Sequence, residues 1–521
     1  MEKEEGADFQ REVDVPQRRS FLFPLLILYL IWLLGVPLIG VVLIALWFVA
    51  LQIAEEKGIL DRWDATRVLG GILMVRTKRG KGILEVISKT KRFWRFYGEL
   101  SIWLCFMVMF GVILVLFLSA IATAINPPDE VLPASDLLLI PGVTSFVPFK
   151  WPALALIIAI LIHEYSHGIQ ARAHGMRLRS FGLLLLGPLP LGAFAEPEES
   201  EMERIPRRER MRLFSAGPSI NLLATYIVLI MLSSVASGMV AENEGVHARG
   251  IIRDQGAEQA GILPYETITH INGNRILDYD DFSNEMSTLG SGEVASFTIL
   301  SSPNVSNAAE VRVERTVFVT LGDHYEYIID QCDGDQECIE NWVEILEIMD
   351  IQEGDAFLGV SDLKSSTGGV DKYSRIIDGV YVGGELSVAS TIIVALLEPI
   401  IMIFTPVELG GHTMLEHERA MLVAGDTGIA SILGTDIMLD LFDFLFWLVW
   451  INFLLGFANL IPMIPFDGGH MFRDATHSIL ARLRSKWHPM EVELIANRVS
   501  SMSSIFILLI LLVPVVIPRL M

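Results

Sequence analysis

Residues 151–167 read Trp151-Pro-Ala-Leu-Ala-Leu-Ile-Ile-Ala-Ile-Leu-Ile-His163-Glu164-Tyr165-Ser166-His167. An uncharged apolar run leads straight into two histidines and a glutamate, and 151–173 is long enough to cross a membrane as a helix. On that helix His163 and His167 lie one turn apart on the same face. The pattern is H-E-x-x-H, in which two imidazoles take two corners of a tetrahedral zinc site. Glu164 projects beside them, where it can take a proton from water. The plainer account is a satisfied polar cluster between helices. Against it, ionisable groups at membrane depth are costly and seldom kept without a function. A hydrolytic site inside a bilayer suggests peptide bonds cut within the membrane.

Composition agrees with this setting. Of 521 residues, 52% are hydrophobic, which points to a polytopic membrane protein. The net charge of −23 is concentrated in one segment: residues 240–384 carry 27 Asp plus Glu against 8 Lys plus Arg, a net of −19. Such a segment is soluble and argues against nucleic-acid binding. Three cysteines are present. Cys105 sits in an apolar run and reads as a small buried hydrophobe. Cys332 and Cys338 can form a short-loop disulfide if the acidic segment lies outside the cytoplasm; a reduced pair is the alternative. The first twenty residues are polar and the apolar run after them is too long for a signal core, so no cleavable signal is expected.

Working outward, 21–54 is apolar with Gly35-Val-Pro37 in its middle, and reads as either one kinked helix or a tight hairpin. Residues 55–98 are basic and therefore cytoplasmic by the positive-inside rule. Within them, Ile72–Arg76 and Gly82–Ile87 flank a basic cluster and suggest a hairpin. Leu100–Ile125 is a span, and 126–150 is an external Pro-rich loop. Residues 174–212 carry the cluster Arg204 to Arg212, again cytoplasmic, and Leu213–Ser237 spans back out. The stretch Phe181 to Ala195 is too broken by Gly and Pro for a span and too apolar for an ordinary loop. It reads as a re-entrant extended hairpin near the site, with a membrane-surface loop as the alternative. Segment 245–365 has a short helix start at Gly256, an alternating strand and an Asn272-Gly273 turn, with Val311 to Leu321 as a further strand. It is a mostly-β soluble module. Residues 388–405 are apolar, but Glu398-Pro399 should break a helix there and keep it from crossing. Asp440–Pro462 and Ser504–Pro518 complete the spans.

Two histidines leave a catalytic zinc one protein ligand short. The candidate is Asp467 in Asn459-Leu-Ile-Pro-Met-Ile-Pro-Phe-Asp-Gly-Gly-His470, where two prolines and two glycines stop a helix. Exposed backbone at membrane depth is tolerated where it lines a cavity; the alternative for this stretch is a helix-ending loop at the membrane surface. His174 and His470 read as polar residues at span ends, and His412 and His417 have the wrong spacing for one helix face.

His163-Glu164-x-x-His167, Asn459-x-x-Pro-x-x-x-x-Asp467-Gly-Gly and Gly217-Pro218-x-x-Asn221 opening the helix between them resemble the site-2 protease family of intramembrane zinc metalloproteases. The stretch 256–276 resembles a PDZ domain, with Ile262 for the usual Leu and Glu266 for the usual Asp. The basic N-terminal hairpin is similar to that of some archaeal members. The resemblance implies a polytopic α-helical membrane protein with a metalloprotease transmembrane core and an inserted mostly-β PDZ-like domain. Its expected parts are an N-terminal membrane region (1–150), a first core part (151–237), an extracytoplasmic PDZ-like domain (245–384), an interfacial helix and loop (385–439) and a second core part (440–521). It implies one Zn2+ held by His163, His167 and Asp467, Glu164 as general base, and Asn459 contacting substrate. It further implies that 181–195, with Gly192, Ala193 and Phe194, pairs with the unwound substrate. Expected partners are single-span membrane proteins, the lipid bilayer, and a peptide or substrate tail at the PDZ-like domain. The active site would face the cytoplasmic side of the cell membrane. Two other classes compete: a silent membrane scaffold, which would have no need of Glu164, and a metal transporter, which would spread ionisable residues along several helices.

Overall fold

Apolar runs of twenty or more residues satisfy their backbone internally only as helices, and these dominate the chain. The computed structural model describes residues 28–29, 38–68, 71–77, 81–128, 133, 136, 139–186, 189–197, 199–307, 310–381, 384–385 and 387–520. The principal helices are α1 (Leu38–Glu56), α2 (Lys91–Ile125), α3 (Lys150–Ala173), α4 (Arg207–Ser237), α5 (Gly368–Asp378), α6 (Val388–Met402), α7 (Ala430–Ala458), α8 (Asp467–Leu483) and α9 (Pro489–Leu520). Five of these, α2, α3, α4, α7 and α9, are long and apolar enough to cross a membrane. Large apolar side chains such as Trp103, Phe110, Ile230 and Phe506 stay exposed on them, which costs nothing where the surroundings are lipid. The chain is a multi-pass membrane protein.

Helix α4 is the hub, packing against α2, α3, α7 and α8. Its Leu229, Leu232 and Ala236 meet Ala155 and Ala159 of α3 and the buried aromatics Phe442, Phe446, Trp447 and Trp450 of α7. Small residues on α3 let the bulky α7 face approach.

Two sheets flank the bundle. The first is antiparallel, in the order β1 (Ala65–Val68), β2 (Ile72–Thr77), β3 (Leu178–Leu186), β4 (Leu189–Pro197). Its last strand packs on α3. The second is the acidic module: β5 (Val246–Ile251), β6 (Thr267–Ile271), β7 (Val294–Leu300), β8 (Glu314–Thr320) and β9 (Val360–Ser365), in the order β8-β7-β6-β5-β9. Asn272 and Gly273 adopt positive φ (50° and 83°), which forms the tight turn expected from Asn-Gly. Cys332 and Cys338 are joined by a disulfide in this module. The module is clamped to the core by Arg249 Nε donating to Glu418 (2.7 Å), with the His247 ring 3.2 Å from the same oxygen. Burial pushes the Glu418 carboxyl up, but the hydrogen bonds from His247 and Arg249 outweigh it and hold the carboxyl below its ordinary value.

Several expectations are corrected. Gly82–Ile87 is no strand: Lys81–Ile87 is a helix whose Leu84 is buried against Ile169 and Met176, and β2 pairs instead with β1 and β3. The Gly217-Pro218 pair does not open a helix. Helix α4 starts at Arg207, and Pro218 lies inside it. Pro218 removes the donor that would meet the Phe214 carbonyl, and the carbonyls on either side accept from neighbouring helices: Leu213 from His167 Nδ1 (2.8 Å), Ser215 from Cys105 Sγ (3.4 Å) and Ala216 from Ser166 Oγ (2.9 Å). Glu398-Pro399 does not break α6 either, which runs on to Met402. Glu398 is buried because Arg375 of α5 donates to it at 2.6 Å. At 15 residues α6 is about 22 Å long, short of a bilayer core of roughly 30 Å. Helix α7 starts at Ala430, not at 440, with a break at Gly434 (φ 74°) that only glycine takes easily. Helix α9 begins at Pro489, well before Ser504. The choice between one kinked helix and a hairpin over 21–54 turns on residues outside those described; from Leu38 to Glu56 the chain is helical.

Candidate metal centre

The spacing of four residues on α3 sets the His163 and His167 rings edge to face, with centroids 4.8 Å apart. Asp467 arrives from the far end of the chain. Helix α7 ends at Ala458, the chain turns through 459–466, and α8 opens on Asp467. Gly468 N donates to Asn459 O at 2.7 Å. A Cβ at Gly468 would lie 2.6 Å from the Leu460 carbonyl, and one at Gly469 would lie 2.5 Å from the Met463 carbonyl carbon. The Asp-Gly-Gly run is therefore required for the backbone to fold back on its own turn. In the first turn of α8 the helix dipole favours a carboxylate.

Asp467 Oδ2 lies 3.2 Å from His163 Nε2 and 3.3 Å from His167 Nε2. The three ligand atoms lie within 4.8 Å of one another. All three side chains are largely buried.

The tautomers follow from the hydrogen bonds. His167 Nδ1 faces the Leu213 carbonyl at 2.8 Å, and a carbonyl only accepts, so Nδ1 carries the proton. His163 Nδ1 faces Asn221 Oδ1 at 2.9 Å. The Asn221 amide is oriented by its own donations, Nδ2 to Ala159 O (3.2 Å) and to Asn452 Oδ1 (3.1 Å). Asn452 in turn donates to Leu448 O at 2.8 Å. Each imidazole thus presents an Nε2 lone pair toward Asp467. Gly217 completes the cradle: a Cβ there would lie 2.3 Å from His167 Nε2 and 2.5 Å from His163 Nε2. Space kept open beside two lone pairs and a carboxylate fits a cation, and two His with one Asp suit a catalytic zinc with an open position.

Glu164 follows His163 and is half-buried, three residues before His167 on the neighbouring turn. Asn459 caps α7, and its Nδ2 donates to Leu455 O (3.0 Å), so its side chain serves its own helix while its carbonyl holds the Asp467 turn. Gly192, Ala193 and Phe194 pair with Leu184, Leu183 and Gly182 of β3. They lie on β4, one of the two edge strands of that sheet among the described residues. His470 stacks on Phe214 beside the site; His417 stacks on Tyr265 of the acidic module, and His412 faces Glu416.

Sequence reading assigned no role to Asn452, the Leu213 carbonyl or the space at Gly217. Buried asparagine in an apolar span was the available signal for Asn452; nothing marks a carbonyl.

The family model for peptidase family M50 matches residues 151–508. An uncharacterized protein of Methanocaldococcus jannaschii is 30% identical over 253 residues, covering 48% of this chain and 63% of its own length. Zinc metalloprotease Rip1 of Mycolicibacterium smegmatis is 22% identical over 382 residues, covering 64% of this chain and 86% of its own. The chain therefore spans somewhat less than two thirds of the first relative and most of the second. Since the match takes in more than half the chain and both halves of the metal centre, the chain belongs to peptidase family M50, the zinc-dependent site-2 proteases.

Proposed function

We propose that this protein is an intramembrane zinc endopeptidase that cleaves transmembrane segments of single-span membrane proteins. The observation that carries the reading is the convergence of His163 Nε2, His167 Nε2 and Asp467 Oδ2 around the space at Gly217, on helices long enough to span a bilayer. When bound, zinc supplies Lewis-acid activation of water and of the scissile carbonyl. His163, His167 and Asp467 would hold it, and Asn221 and Leu213 O orient the two imidazoles. Glu164 takes the proton from the attacking water and passes it to the leaving amine. A helical substrate hides its peptide bonds in i to i+4 hydrogen bonds, so it must unwind first. The outer edge of β4 offers the unwound segment replacement partners, and β4 packs against α3.

The orientation follows from charge. The basic stretches 55–98 and 204–212 are cytoplasmic, and the acidic module, read as PDZ-like, is extracytoplasmic, where it takes a peptide or a substrate tail. Helix α6 and the segment from it to α7 do not cross, so α7 runs inward and brings Asp467 to the cytoplasmic half. This supports a cell-membrane protein whose core is 151–237 plus 440–521.

The test is a comparison of membrane proteomes from cells carrying the wild type or Glu164→Ala, together with metal analysis of the purified chains. Uncut single-span substrates should accumulate in the variant, which keeps its zinc. Loss of zinc from Glu164→Ala, or identical proteomes, contradicts the assignment. His163→Ala, His167→Ala and Asp467→Ala should each lose both zinc and cleavage.

A further inference from the structure

Asp467 and Asp474 are seven residues apart on α8, nearly two full turns, so they share a face. Asp474 is fully buried and is not one of the candidate ligands. Arg210 grips it with both ends of its guanidinium, Nε to Oδ2 at 3.0 Å and Nη2 to Oδ1 at 2.6 Å. Arg207 Nη1 donates to Oδ1 at 3.2 Å, and its other nitrogen donates to Glu493 of α9. Both arginines lie in the first turns of α4, the helix that carries Leu213, Gly217 and Asn221.

The contacts between α8 and α4 run in order. Arg207 and Arg210 meet Asp474, Phe214 stacks on His470 (4.6 Å, 11° between planes), and Gly217 stands opposite the histidines that face Asp467. The helices are zipped antiparallel, with the metal centre at one end and the ion cluster at the other. The close glycine contacts at 468 and 469 fix Asp467 only to its own preceding turn, 460–463. They do not set where that turn sits along α4. Helix α7, tied to α4 through Asn452 and Asn221, holds the upstream end of that turn, and placing a metal ligand to within about 0.2 Å needs the downstream end on α8 held as well. A bidentate, desolvated Arg–carboxylate pair has the geometric specificity to provide one.

We infer that Asp474, held by Arg210 and Arg207, is a positioning residue that sets the register of α8 on α4 and so places the Asp467 carboxylate opposite His163 and His167. The inference rests on the zinc-site reading above. It assigns a role to a charge cluster that touches neither metal nor substrate.

The test is the zinc affinity of the purified full-length chain, measured by competition with a chromophoric chelator. Wild type is compared with Asp474→Asn, Arg207→Gln and Glu99→Gln. Glu99 pairs with Arg208 and Arg212 and ties α4 to α2, leaving α8 untouched. Asp474→Asn should weaken zinc on the order of tenfold or more, the range found when groups supporting a ligand are removed. Arg207→Gln, which leaves the Arg210 fork in place, should weaken it by a smaller factor of about three. Glu99→Gln should bind as wild type does. If Asp474→Asn does not fold, Arg207→Gln carries the test alone. Wild-type affinity in Asp474→Asn, or in Arg207→Gln when that variant stands alone, overturns the inference. An equal loss in Glu99→Gln also overturns it, since the effect would then be general loosening of the bundle. Absence of zinc from the wild type would instead sink the zinc-site reading itself.

Discussion

The sharpest consequence of the metal-centre geometry lies in a residue that donates nothing. Gly217→Ala puts a methyl 2.3 Å from His167 Nε2 and 2.5 Å from His163 Nε2. Ordinary contact needs roughly 3.5 Å, so each ring must retreat by about 1 Å. The Nδ1 bonds to Leu213 O (2.8 Å) and Asn221 (2.9 Å) oppose that retreat. Without metal the rings can turn aside, but a loaded site holds them at about 2.0–2.1 Å from zinc. Two compromised hydrogen bonds at about 1 kcal/mol each, plus about 1–2 kcal/mol of overpacking, come to ~3–4 kcal/mol against the loaded form. At about 1.4 kcal/mol per tenfold, zinc should bind roughly 100- to 1,000-fold more weakly. The assay is elemental analysis after equilibration with a graded chelator, with the melting temperature of the metal-free chain as the control for folding. One zinc per chain at wild-type affinity in Gly217→Ala would refute the argument, because the cradle would then not be where the metal sits.

Asn221→Ala frees His163 Nδ1 and strands Asn452, so zinc affinity should fall about 10- to 100-fold; an unchanged affinity would mean the amide chain does not set the tautomer. Proline at 192 or 194 removes a backbone donor and bends β4. Cleavage of a membrane substrate should slow with zinc content unchanged, and wild-type rates from both Gly192→Pro and Phe194→Pro would leave strand pairing unsupported. For topology, a cysteine at the exposed Ser431 should react with an impermeant thiol reagent on whole cells. Labelling only after permeabilisation would mean that 388–405 crosses and that the inward run of α7 is wrong.

The long apolar elements were legible, while their ends were not, and charge is the reason. Arg207 to Arg212 reads as a solvated loop by composition, yet those arginines lie in α4 and are consumed by Glu99 and Asp474. Paired charges extend a helix past the apolar run that announces it. The same physics misled the reading of Glu398-Pro399. The pair looked like a helix breaker carrying a carboxylate too costly for an apolar run, but the helix continues through Pro399, and Arg375 comes from another element to pair with Glu398. In both cases a local pattern was correct about cost and silent about the partner that offsets it.

The candidate ligands were legible for the converse reason. The relation of His163 to His167 is set by helix geometry alone, and Asp467 stood out as the carboxylate in a turn that apolar sequence had no other reason to contain. What holds them in place comes from distant segments: Asn221 and Asn452 are 231 residues apart, Arg210 and Asp474 are 264 apart. Each of these supports is polar and buried, so each stays only where its partner is present. An asparagine in mid-span or an aspartate two turns below a ligand is thus a half-statement in sequence. Its cost is visible, and its function appears only when the fold supplies the other half.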